Sequence, residues 1–223
     1  MTSEHEQSAR DSGQGEAALG NGVIAILRAP DAGRFGAVAD VLIEAGITSL
    51  EFTMTTKGAV EALRELARRL PSGIALGAGT VNDATTTDAV IDAGATYVVS
   101  PGVALDVIDR ARARGAAALP GAVTATEVLL AWRSGATAVK LFPAATFGPD
   151  YLRHLRGPLP DVRFVPTGGV GPDNAGDYIR AGAVAVGVGG PLLGDAASGG
   201  DLDALRDRAG RILAVVAAAR EER

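Results

Sequence analysis

The chain has 223 residues, 47% of them hydrophobic, a formal net charge of -5 and no cysteine. That length and apolar content suffice for one domain with a substantial core, while the acidic balance argues against general nucleic-acid binding and leaves room for a local basic pocket around a small anion. Small molecules are therefore the expected partners, and disulfides, thiolate nucleophiles and cysteine-based metal sites are excluded.

Residues 1–20 are rich in Ser, Gly, Gln and Glu and carry no apolar run of the kind found in a signal peptide or a membrane span. They are expected to form a flexible tail, with one helical turn near Glu16–Leu19, on a cytoplasmic protein. Beyond them, a small or polar residue followed by Gly and an apolar run recurs at Gly46, Gly73, Gly94, Gly115, Gly135 and Gly182. Glycine suits the left-handed residue that ends a helix before the chain enters a strand. With Gly22 at the start and Pro160 supplying a boundary in the longest interval, the beat marks eight units over residues 21–223.

Each unit opens with a predicted strand: Val23–Arg28, Thr48–Thr53, Ile74–Gly79, Tyr97–Ser100, Ala116–Leu119, Ala138–Phe142, Arg163–Thr167 and Val184–Val188. The helices between them show in their periodicity. Phe35, Val38, Ala39, Leu42 and Ile43 share one face, as do Val60, Leu63, Leu66, Ala67 and Leu70. Thr124 and Glu127 have capping-box spacing ahead of Leu129, Leu130 and Trp132, and a last helix is expected from Leu202 to Ala219. Near-continuous apolar strands alternating with helices predict a parallel sheet covered by helices, and eight units predict a single-domain (β/α)8 TIM barrel. A doubly wound open sheet is the second choice, and its dinucleotide fingerprint is absent.

In such a barrel the functional side chains gather where strands end. Lys140 lies in the middle of Ala138-Val139-Lys140-Leu141-Phe142-Pro143, a buried strand where an ammonium group is costly unless paired or deprotonated. It is one of only two lysines, the other being Lys57, in a chain that otherwise uses arginine. Strand alternation puts Ala138, Lys140 and Phe142 on the barrel axis and Val139 and Leu141 against the helices. The same alternation turns Glu51 and Thr53 inward. An unprotonated lysine there can attack a ketone or aldehyde and form an imine, and Glu51 can move the protons that this requires. The plainer alternative is a structural Lys-Glu ion pair.

Around this pair, Arg28 ends strand one and can clamp a carboxylate, with a structural ion pair as the alternative role. Thr80 follows Gly77-Ala78-Gly79 as a hydroxyl donor or a simple turn residue, and Phe142 offers an apolar wall or ordinary packing. Pro101 at the end of strand four and Gly189 at the end of strand eight are counted with the substrate-binding residues. Two glycine-rich turns, Thr167-Gly168-Gly169 and Gly187-Val188-Gly189-Gly190, follow strands seven and eight, where barrels often hold phosphate on backbone amides. No metal site is expected, since His5 lies in the tail and His154 reads as a surface residue between Leu152 and Leu155.

In order and spacing, Ile26-Leu27-Arg28, Leu50-Glu51-Phe52-Thr53, Gly77-Ala78-Gly79-Thr80-Val81, Ser100-Pro101-Gly102, Val139-Lys140-Leu141-Phe142-Pro143-Ala144, Phe147-Gly148-Pro149, Pro166-Thr167-Gly168-Gly169-Val170 and Gly187-Val188-Gly189-Gly190 resemble one family. It is that of the 2-keto-3-deoxy-6-phosphogluconate and 4-hydroxy-2-oxoglutarate aldolases. The resemblance, over about residues 22–193, implies a trimeric class I aldolase that needs no cofactor. It puts Lys140 at the Schiff-base position and Glu51 at the acid/base position. Arg28, Thr80 and Phe142 fall where the family meets the pyruvate moiety, and Thr167, Gly168, Gly169 and Gly190 where it holds a distal phosphate. The reaction implied is reversible cleavage of a 2-keto-3-deoxy sugar acid phosphate to pyruvate and glyceraldehyde 3-phosphate. Two positions depart from the pattern: Thr55 stands where some members have Arg, and Pro191 where several have Ser. Both departures keep a short or differently configured substrate in view, such as 4-hydroxy-2-oxoglutarate or a 2-keto-3-deoxygalactonate. The same residues are also compatible with a non-catalytic metabolite binder or a phosphosugar isomerase or epimerase.

Overall fold

Strands that are apolar on both faces must be covered on both, by helices outside and by one another's side chains inside. In the computed structural model, which describes residues 15–223, eight such segments form parallel strands: β1 (Val23–Leu27), β2 (Ser49–Thr53), β3 (Ala75–Gly79), β4 (Tyr97–Ser100), β5 (Ala117–Ala122), β6 (Val139–Leu141), β7 (Phe164–Pro166) and β8 (Val186–Val188). Chain neighbours pair in the order β7-β6-β5-β4-β3-β2-β1-β8, and a bridge between Thr167 and Gly187 joins the two ends. The result is the expected (β/α)8 barrel. Its main helices are α1 (Phe35–Glu44), α2 (Ala59–Ala67), α3 (Ala84–Asp92), α4 (Leu105–Ala113), α5 (Ala125–Arg133), α6 (Gly148–Arg156), α7 (Ala175–Arg180), the single turn α8 (Gly190–Leu193) and the long α9 (Leu202–Glu221).

All six glycines of the sequence beat have positive φ, from 72° at Gly115 to 110° at Gly94. There an L side chain would be strained. The capping box opens α5 as expected: Glu127 N donates to Thr124 Oγ1 at 3.3 Å, and Thr124 N donates to Glu127 Oε2 at 2.8 Å.

Period-two alternation sorts the core into two shells. Leu50, Phe52, Val139 and Leu141 pack outward with the helices, while Ile24, Ala75, Tyr97, Val99, Leu119, Ala138 and Val165 fill the barrel. At the N-terminal end of the barrel, residues 15–19 form the anticipated helical turn, and Ala18 and Leu19 are buried in the interior shell. Ser49 Oγ donates to the Ala18 carbonyl at 2.7 Å. Part of the expected tail is therefore packed into the barrel. The rest, residues 1–14, lies outside the described residues.

The fifth strand departs from expectation by running three residues past Leu119. Pro120 removes one amide but stays in register with Ser100, and the ladder to β6 is carried beyond it by Gly121 opposite Lys140 and Ala122 opposite Leu141.

Candidate active site

The C-terminal mouth of the barrel holds a cavity of about 300 Å³. Its lining includes the expected catalytic pair, Lys140 and Glu51, and the expected binding residues Arg28, Thr80, Pro101, Phe142, Thr167, Gly168, Gly169, Gly189 and Gly190. Ile26 and Pro191 complete it. The alternation that turns Arg28 inward does the same for Ile26, two residues earlier on β1 and in register with Glu51. Thr53 is buried but does not line the cavity, its hydroxyl lying 3.1 Å from that of Thr56. Thr55 is exposed and likewise outside the lining, so no side chain from that position reaches the cavity. His154 sits exposed on α6.

Glycines make the room. A Cβ at Gly77 would run into the Tyr97 ring, and one at Gly79 would run into the Glu51 carboxylate. The Glu51 side chain thus leans along β3, over the Tyr97 side chain, toward the mouth. Tyr97 is fully buried in the interior shell and donates its hydroxyl to the Leu50 carbonyl at 2.8 Å. Opposite, a Cβ at Gly121 would meet the Pro101 carbonyl, and one at Gly187 the Thr167 hydroxyl. These glycines in strands were the signal of close approach that alternation alone did not supply.

Glu51 is only 2% exposed, and Lys140 9%. Burial pushes the Glu51 carboxyl above its ordinary value, and the charges of Lys140 and Arg28 pull it partway back. Lys140 and Glu51 nevertheless form no direct ion pair, unlike the surface arginine pairs of this chain. Both face a common space. Lys140 Nζ also lies 5.1 Å from the centroid of the Phe142 ring, within cation-π range.

At one end of the cavity, Arg28 Nη2 donates to Thr80 Oγ1 at 3.2 Å. Thr80 has φ 61°, the one positive φ outside glycine among the described residues. A β-branched residue held in that region is strained, a condition that persists where surrounding structure imposes it. At the other end, Ala144 N donates to the Thr167 carbonyl at 2.8 Å and Ala145 N to the Gly168 carbonyl at 3.0 Å. With its carbonyls so engaged, the turn leaves the amides of Gly168 and Gly169 without an acceptor among the described residues. They are available to an anion.

A Gly79→Ala substitution tests this geometry. Its methyl group should displace the Glu51 carboxylate and lower kcat by about a hundredfold, with an unchanged far-ultraviolet circular dichroism spectrum. Wild-type kcat would show that Glu51 need not occupy the observed position.

Residues 17–207 match the family model described as KDPG and KHG aldolase. A 2-dehydro-3-deoxy-phosphogluconate aldolase of Pseudoalteromonas atlantica is 34% identical over 195 residues, 86% of this chain and 90% of that protein. A second, from Pseudomonas aeruginosa, is 42% identical over 143 residues, 64% of each chain. The Escherichia coli 2-dehydro-3-deoxy-6-phosphogalactonate aldolase is 33% identical over 171 residues, 76% of this chain and 83% of that one. Among solved structures, the KDPG aldolase of Legionella pneumophila, with pyruvate captured as a covalent carbinolamine intermediate, superposes with a TM-score of 0.82 at 26% identity, covering 89% of this chain and 97% of that one. The fold, the ordered motifs and these matches agree: the chain belongs to the KDPG and KHG aldolase family, whose members are carbon-carbon lyases.

Proposed function

We propose that this protein is an imine-forming aldolase that cleaves a 2-keto-3-deoxy sugar acid phosphate, foremost 2-keto-3-deoxy-6-phosphogluconate, to pyruvate and glyceraldehyde 3-phosphate. The observation that carries the reading is the single cavity in which Lys140, Glu51, Arg28, Thr80 and the glycine turns meet. Arg28 and Thr80 hold the substrate carboxylate, and Lys140 Nζ adds to the C2 carbonyl to give a carbinolamine. Loss of water leaves an iminium ion. Glu51 then takes the proton of the C4 hydroxyl, the C3–C4 bond breaks to release the aldehyde, and its electron pair moves onto C3 and toward the iminium nitrogen. Protonation of C3 and hydrolysis of the imine free pyruvate and Lys140. No oxidant, reductant or cofactor enters this balance. The distal phosphate rests on the amides of the turns after β7 and β8.

Pro191 favours a second reading. It lines the cavity but supplies neither hydroxyl nor amide proton, which suits a substrate without phosphate such as 4-hydroxy-2-oxoglutarate. The galactonate-type relative adds the epimeric sugar acid to the substrates worth testing. Assembly as a homotrimer belongs to the same reading. It is supported by the resemblance and by a designed cage, built from symmetric oligomeric domains, that superposes with a TM-score of 0.83 at 29% identity, over 90% of this chain and 73% of that one.

The test is a panel of phosphorylated and unphosphorylated keto-deoxy acids scored by pyruvate release, together with borohydride reduction in the presence of pyruvate. Pyruvate release and a reduced adduct on the Lys140 peptide are expected. A binder or an isomerase would give neither.

A further inference from the structure

Gly169 and Pro191 each face two cavities. Beyond them lies a second space of about 360 Å³, whose wall continues through Gly171 and Asp173 to Arg208 and Arg211 of α9. Gly169 and Pro191 are common to both linings, and the Pro191 ring packs against the Gly171 backbone, where an added Cβ would meet Pro191 Cβ at 2.8 Å.

The two arginines differ in how they are held. Arg208 donates from Nε to the Leu192 carbonyl at 2.6 Å and from Nη2 to the Leu193 carbonyl at 2.9 Å. Those bonds orient its guanidinium and leave Nη1 without a protein acceptor among the described residues. Arg211 has Asp173 as its partner at 3.4 Å, with side chains 66% and 95% exposed. So open a pair is worth little and is easily exchanged for a better acceptor. Two guanidinium groups thus face one carboxylate, in a chain whose net charge is -5. A local cationic excess of this kind, beside the unengaged amide of Gly169, selects a small dianion. Guanidinium groups engage phosphate oxygens in pairs.

We infer that Arg211, with the open edge of Arg208, binds the outer oxygens of a substrate's distal phosphate, compensating for the donors that Pro191 lacks and acting as a determinant of specificity for phosphorylated substrates. This rests on the aldolase reading above. The inner oxygens of the phosphate take the glycine amides, and its outer oxygens point over the rim that Gly169 and Pro191 form between the two cavities. A phosphorylated substrate is then the preferred one despite the proline.

Two measurements on the full-length protein and its Arg211→Gln and Arg211→Lys variants test this. In the first, the ratio of kcat/KM for 2-keto-3-deoxy-6-phosphogluconate over unphosphorylated 2-keto-3-deoxygluconate should fall about tenfold in Arg211→Gln, through the KM of the phosphorylated substrate, and recover in part in Arg211→Lys. In the second, titration with inorganic phosphate should show weaker binding to Arg211→Gln than to wild type. A wild-type ratio in Arg211→Gln overturns the inference. Phosphate binding that weakens without any change in the ratio also overturns it, since the site would then hold a free anion and not the substrate. If the wild-type protein formed no borohydride adduct, the aldolase reading would fall, and the phosphate titration alone would decide whether Arg211 binds an anion.

Discussion

Replacing Lys140 by methionine is expected to abolish both cleavage and the borohydride-trapped pyruvate adduct, with kcat lower by at least about 10⁴-fold, as for loss of a covalent nucleophile elsewhere. Methionine keeps much of the side-chain volume, so the barrel should remain folded. The decisive companion is Lys140→Arg. It preserves the positive charge beside Glu51 and Phe142 but cannot form an imine, since a guanidinium does not give up its proton in this range. If the lysine acted as an ion-pair partner in a metabolite-binding barrel, arginine would restore function. If it is the nucleophile, arginine is as inactive as methionine. Cleavage by either variant at a rate near wild type would remove Lys140 from the chemistry.

Glu51→Gln should lower kcat by about 10² to 10⁴-fold, the usual range for loss of a positioned proton carrier, while slow trapping of pyruvate on Lys140 persists. The pH behaviour is the more specific readout. Burial raises the Glu51 carboxyl in the folded protein, so the folded state holds its proton more tightly than the unfolded chain does. Below the ordinary glutamate value both states are protonated and the group has no net effect on stability. As pH rises from that value through the raised folded value, the unfolded chain releases the proton first, and the buried group becomes a growing cost to the fold. Glutamine carries no such cost. Glu51→Gln should therefore have a higher Tm than wild type near neutral pH, and the gap should close as pH falls through the ordinary carboxylate range. In wild type the acid limb of kcat/KM assigned to Glu51 should sit above that range and be missing in the variant. A gap in Tm that does not change with pH would contradict the rise that burial imposes on the Glu51 carboxyl.

Most of this site is legible in the sequence, for reasons that differ between residues. Lys140 was visible because a charge inside a short apolar strand conflicts with its surroundings, and strands have a period of two that assigns a direction to each side chain. Glu51 followed by the same alternation. The six glycines that end helices announced the eight-fold repeat, since only glycine adopts positive φ without strain, and all six do so. Strand ends were less legible. The fifth strand was expected to end at Leu119, yet β5 continues through Pro120 to carry Gly121 opposite Lys140. The burial of Ala18 and Leu19 was hidden too, because a short polar stretch does not reveal which of its few apolar residues will find a cavity to fill.

By itself, then, the chain determined the number of repeating units, the inward faces of most strand residues, and the identity of most residues that line the mouth, because these depend on local periodicity and on the conformational limits of single residues. Only the tertiary structure decided how close those residues come. Distance across a barrel is set by its closure, as in the bridge from Thr167 to Gly187, and that is a property of all eight strands together. Closure left Lys140 and Glu51 facing one space without a direct ion pair, placed Arg28 on the hydroxyl of a strained Thr80, and required Gly79 so that the carboxylate would fit. It also brought α9, far along the chain, to the back of the glycine turns, so that Arg208 and Arg211 stand behind Pro191. No local pattern carries that juxtaposition, because α9 and the glycine turns are separate elements with no common strand, turn or helical face.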